Sequence, residues 1–153
     1  MRALDLRSEA MGNPRLGQTV RRFFGHAGRG EWDQAAALVS DPLDLLGAQV
    51  ARADLAGNDD RSLSDTVTSL LELPPGIPFS LDEQGQLFGG ALAESWRVCF
   101  VTLAMGKGQD PVSYGLAVDL KNPAQPLVAR LFDPAPFKRF AAEVAEARRP
   151  DAP

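Results

Sequence analysis

The sequence predicts an α+β domain in which helices come first, an antiparallel meander follows and one helix closes the chain. Three observations carry this. Leu16, Val20, Phe23, Phe24 and Ala27 recur at helical spacing. Residues 112–120 alternate strictly, with Val112, Tyr114, Leu116, Val118 and Leu120 on one side and Ser113, Gly115, Ala117 and Asp119 on the other. The stretch Phe132-Asp133-Pro134-Ala135-Pro136 reads as a strand running directly into a helix. Asp133 can cap that helix, and both prolines fall in the first turn, where a missing N–H has no intrahelical partner to lose.

Taken in order, residues 1–13 show no period and read as a loose arm. The first helix starts at Pro14, and its five apolar positions span an arc of roughly 100°. Arg15, Arg22 and Arg29 gather on the opposite side, a stripe whose plain reading is a solvated face. Gly28 and Gly30 end this helix, and Trp32, Ala36 and Val39 mark a short second one, which Asp41-Pro42 stops. Residues 43–55 fit either a continued helix or a short strand. Residues 60–73 read as a third helix, because Leu63, Val67, Leu70 and Leu71 have helical spacing and Asp59 and Asp60 suit a helix start. After the rigid break at 74–78, residues 78–90 read as a strand, a turn at Asp82 to Gly85 and a second strand. Residues 91–105, 112–120 and 127–132 are the remaining strands, and a helix follows from Asp133. The domain is bounded at 14–149, and residues 150–153 form a fraying tail.

At 153 residues the chain is the size of one domain and can bury a core without metal or disulfide. The net charge of −4 argues against a general nucleic-acid or acidic-membrane binder. The acidic excess lies in one segment, since residues 54–86 sum to −6. Cys99 is the only cysteine and His26 the only histidine, so neither a disulfide framework nor a Cys/His metal set is available, and no cofactor is expected. No apolar run is long enough for a signal peptide or a membrane span, so a cytoplasmic location is expected. Phosphate-binding loops, dinucleotide fingerprints and nucleophile elbows are absent from the sequence. Residues 28–39 resemble half of a tetratricopeptide repeat, but no second copy follows at a period near 34, and stacked repeats need neighbours.

Asp119 is the most informative polar residue, because it shares a strand face with Ser113, Gly115 and Ala117. Small side chains beside a carboxylate leave room for a ligand. In an apolar surround such a carboxyl becomes a better base. The plainer reading is a strand-end acid in water, or one paired with Lys121 or Arg97. Tyr114 lies on the opposite face and cannot assist Asp119. Arg97 and Cys99 share one face of the long strand, and Arg97 can hold a ligand carboxylate. Cys99 reads as a small buried residue. His26 sits off the apolar arc of the first helix, and Trp32 fills either a pocket floor or a core.

The strings at 20–41, 91–98 and 126–140 (VRRFFGHAGRGEWDQAAALVSD, ALAESWRV and PLVARLFDPAPFKRF) resemble the NTF2-like superfamily, and within it the SnoaL-like proteins. The resemblance covers about residues 14–142 and departs from the family at 43–80. It implies N-terminal helices packed on a curved antiparallel sheet, a cone-shaped pocket between them and a short C-terminal helix. Two functions follow as expectations. One is a module binding a small, largely apolar molecule or a protein partner, with Arg97, Cys99, Ser113, His26 and Trp32 around the ligand. The other is a cyclase or ketosteroid-isomerase type of enzyme with Asp119 as general base. The family's epoxide hydrolases use an Arg-x-Asp strand pattern, and here Arg97-Val98-Cys99 lacks the acid. A homodimer through the outer sheet face is expected, on the premise that the face of Tyr114 and Leu116 points outward.

Overall fold

A computed structural model describes residues 7–8, 14–58, 63–74 and 77–147. The elements are β1 (Arg7–Ser8), α1 (Pro14–Gly28), α2 (Trp32–Ala36), β2 (Val39–Leu45), β3 (Ala48–Val50), α3 (Arg52–Ala56), β4 (Val67–Glu72), α4 (Leu81–Phe88), β5 (Trp96–Leu103), β6 (Val112–Asp119), β7 (Leu127–Phe132) and α5 (Ala135–Ala147). The strands form one sheet in the order β1-β4-β5-β6-β7-β2-β3. Every pairing is antiparallel except β2 with β7, so the sheet is mixed where an antiparallel one was expected. Arg7–Ser8 pairs with β4 inside the segment expected to be a loose arm. The tail at 150–153 lies outside the described residues.

Both faces of the sheet are covered. Leu16, Val20, Phe23, Phe24 and Ala27 of α1 are buried as their spacing predicts, and they pack with Cys99, Val101, Leu116, Val118 and Leu131. On the other face Val98, Phe100 and Phe132 meet Leu87 and Phe88 of α4 and Phe137 of α5. Helices therefore lie on two sides rather than one. The reason is visible in β5, where Val98 and Phe100 point one way, Cys99 and Val101 the other, and all four are buried. A strand apolar on both faces needs a cover on each.

Two readings of the sequence give way to this layering. Residues 67–72 are a strand, not part of a helix. Leu70 and Leu71 satisfy helical spacing but point to opposite faces, each of them apolar because each is covered. Residues 81–88 are a helix, not half of a hairpin. Ser80 Oγ accepts from the Glu83 N–H and Glu83 Oε1 accepts from the Ser80 N–H, a capping box. Gly89 then ends the helix at φ +78°, a left-handed conformation suited to glycine. The ambiguous 43–55 becomes the second half of β2, then β3 and α3. At α5 the Asp133 carboxylate accepts from the Ala135 N–H at 3.0 Å, and the Pro134 carbonyl accepts from Lys138 at 2.9 Å. The helix thus begins at Ala135, one residue later than the sequence predicts, so Asp133 closes its start from just before the cap position and Pro136 is its second residue, not its third.

Arg130 of β7 joins these parts. It is 8% exposed. Its Nε donates to Asp44 Oδ2 on β2 at 2.9 Å. Its Nη1 donates to the carbonyls of Phe88 and Gly90, and its Nη2 to that of Ala91, at 3.0 to 3.2 Å. These oxygens lie at and just past the end of α4, where carbonyls lack intrahelical donors and the dipole favours a cation. The guanidinium also lies 5.0 Å from the centre of the Trp96 ring on β5. Asp44 Oδ1 in turn accepts from the Gly47 N–H at 3.0 Å, fixing the β2–β3 turn.

Replacing Arg130 by Met strands a shielded carboxylate and three carbonyls, and is expected to cost about 3–5 kcal/mol. Arg130→Lys should recover little, because three donors on one nitrogen cannot span the same acceptors. Urea unfolding checks both, and a Lys variant as stable as the parent would refute the planar-fork argument. Gly115 gives a second expectation. A Cβ there would stand 2.2 Å from the Phe132 ring, whereas one at Gly85 on the surface of α4 meets nothing within 4 Å. Gly115→Ala should destabilise by about 1–3 kcal/mol, and Gly85→Ala should stabilise by about 0.5–1 kcal/mol. Calorimetric melting of the two variants should move in opposite directions.

Candidate functional site

The space between α1 and the sheet, where a cone-shaped pocket was expected, is filled by side chains. Leu16, Val20, Phe23 and Phe24 are no more than 1% exposed. Trp32 lies edge-on to Phe23 at 6.2 Å and belongs to the same core. Tyr114 stacks on Phe24 at 6.1 Å, so the face carrying Tyr114, Leu116, Val118 and Leu120 is the inner one. The outward orientation behind the expected dimer is thus reversed, and the opposite face carries α4 and α5.

The expected site residues separate. Asp119 does lie on the face opposite Tyr114, as its parity predicts. Its Oδ1 accepts from Ser95 Oγ at 2.9 Å and from the Lys121 N–H at 2.8 Å, which ties the end of β6 to the turns beside it. Ser113 shares that face but lies six residues away, about 20 Å along the strand. Arg97 Nη1 donates to the Trp96 and Glu94 carbonyls. Cys99 is fully buried, and burial first, then the charge of Glu72, push its thiol well above the ordinary range. His26 Nδ1 is 2.9 Å from Glu31 Oε1, which also accepts from Arg29 Nε at 3.1 Å. That surface cluster holds the Glu31 carboxyl below its ordinary 4.5, mainly through the His26 hydrogen bond. Among the described residues no three His, Cys, Asp or Glu side chains group to hold a metal ion.

A different site is built on the other face, at the end of the sheet remote from Asp119. Register places Ser69, Thr102 and Ser113 side by side on β4, β5 and β6. The next row on the same face is Leu71, Phe100, Gly115 and Phe132. Helix α5 crosses above, with Phe137 stacked on Phe100 at 4.6 Å. Between helix and sheet lies a cleft of about 210 Å³, with Leu71, Phe100, Phe137 and Ala141 as its apolar wall. The three hydroxyl residues, Val101 and Lys138 complete it. Thr102 Oγ1 and Ser113 Oγ are 3.3 Å apart. Of these residues only Ser113 is a candidate on sequence grounds. Ser69 and Leu71 are hidden by the helical reading of 60–73, although they share a face by simple alternation.

Asp119 serves as a turn clamp in this geometry. Asp119→Ala should cost about 1–2 kcal/mol through two lost charge-assisted bonds. Asp119→Asn, which keeps an acceptor at the same place, should cost less than half as much. Equal losses in thermal unfolding would show that the charge matters rather than the bonds.

No protein-family model matches this chain, and no curated protein or solved structure matches it either.

Proposed function

We propose that this chain is a non-catalytic NTF2-like module that binds a small, largely apolar molecule in the cleft beneath α5. The observation that carries the reading is the contrast between the two faces of the sheet. The space below α1 is packed with aromatic and aliphatic side chains and opens only at its edge, in a polar recess of about 310 Å³ beside Thr19, Arg22 and Gln125, while the cleft below α5 retains about 210 Å³ beside an apolar wall. An apolar cavity of about 150 Å³ suffices for benzene, so the cleft has room for a body of one ring or a short chain. The element order and the Phe-Asp-Pro exit from the last strand support the family part of the proposal. Against chemistry stands the Asp119 carboxylate, which serves a turn by accepting from Ser95 and Lys121, whereas a general base acting on a carbonyl compound also needs a donor for the developing oxyanion.

Titration of the protein with toluene, followed by NMR of backbone amides and methyl groups, tests this. Shifts are expected at Leu71, Thr102 and Ala141, with a Kd on the order of 1 mM, about −4 kcal/mol. Ala141→Trp, which fills the cleft from the partly exposed helix side, should abolish them. Shifts confined to the α1 core, or unaltered by Ala141→Trp, would refute the assignment.

A further inference from the structure

We infer that the cleft beneath α5 selects a carboxylate, so that its ligand is a small amphiphilic acid with a body of about one ring or a short alkyl chain. The inference rests on the reading that the cleft binds an apolar molecule, and it adds the chemistry of the head group.

The two rows of the sheet divide the cleft by polarity. Ser69, Thr102 and Ser113 form a line of hydroxyls across three adjacent strands. Adjacent strands lie about 4.8 Å apart, so the line presents oxygens at a spacing that one carboxylate can bridge. Thr102 and Ser113 share one hydrogen bond, which leaves one of their two protons free to donate. The Ser69 hydroxyl is half-buried and makes no hydrogen bond among the described residues. One row further along the strands, Leu71 and Phe100 offer only carbon. A molecule lying along the strands would therefore set its polar end on the hydroxyls and its apolar body against Leu71, Phe100 and Phe137.

Charge decides what that polar end is. Lys138 belongs to the cleft from the α5 side, and its ammonium makes no ion pair among the described residues. No acidic side chain lines the cleft. A carboxylate only accepts, with two oxygens and about four lone-pair positions. It matches two free hydroxyl protons and one ammonium. An alcohol head would use the hydroxyls and leave the cation in water, and an amine head would be repelled by it.

Benzoate, benzyl alcohol and benzylamine have nearly the same body and differ in charge, so calorimetric titration of the three at low salt provides the test. Benzoate is expected to bind about 5–10-fold tighter than benzyl alcohol, and benzylamine weaker than both. Lys138 is exposed, so Lys138→Met should leave the fold unchanged in circular dichroism. That variant should bring benzoate down to the affinity of benzyl alcohol while leaving the alcohol itself unaffected. Ser69→Ala should weaken benzoate about 2–5-fold. Benzoate binding no tighter than the alcohol, or binding insensitive to Lys138→Met, would overturn the carboxylate assignment and leave the apolar cleft standing. Failure of all three ligands and of toluene would overturn the cleft itself.

Discussion

The guanidinium of Arg130 is the point where the halves of this molecule are tied together. It reaches a carboxylate on β2, three carbonyls at the C-terminal end of α4 and the ring of Trp96 on β5. A buried ion pair alone is weak grounds for stability, because removing two charges from water costs about what their attraction returns. What distinguishes Arg130 is the number of acceptors satisfied at once. Four of its five N–H groups donate, and the carbonyls it meets would otherwise be orphaned at a helix end. The same contact places the β2–β3 hairpin beside β7 and seats α4 on the second face of the sheet. Without that seat the aromatic cluster around Phe88 would lose one of its walls.

From this follows the layered character of the domain. The strands bury both faces, and the two cores differ in kind. One is aliphatic and aromatic beneath α1. The other is dominated by phenylalanine, with Phe88, Phe100, Phe132 and Phe137 in mutual contact at 4.6 to 6.1 Å between ring centres. Gly115 permits this second core. The absence of a side chain at that one position on β6 lets the Phe132 ring close onto the strand. The ring then carries Phe100 and, through it, α5. The cleft arises where that aromatic stack ends and the hydroxyl row begins.

Sequence patterns reveal this fold where one rule acts alone. The α1 period, the alternation of 112–120 and the Asp133-Pro134 helix entry all survive, because each element there has one local signal and no competitor. Reading fails where two rules overlap. At Leu70 and Leu71 a doubly covered strand imitates a helix, since consecutive apolar residues satisfy either geometry. At Ser80 to Glu83 the capping-box signal is present but masked by Phe79 and Phe88, aromatic residues that favour strands when considered singly. The site suffered more, because it is a product of register. Ser69, Thr102 and Ser113 are more than ten residues apart in each step and become neighbours only through pairing. Arg130 is equally silent, since nothing in ARLF announces a partner 86 residues earlier.

That separation has a consequence for how the chain is made. β2 lies between β7 and the edge strand β3, so its neighbour on one side is the last strand to be synthesised. At about 5–20 residues per second, a ribosome needs roughly 4–17 s to bring Arg130 out after Asp44. Through that interval one edge of β2 waits unpaired, and α4 has no guanidinium at its carbonyl end. Parallel pairing across so long a loop is slow to nucleate even in the complete chain. The first half of the domain is therefore born with an open sheet edge, and the last strand, entering between β6 and β2, is what seals it.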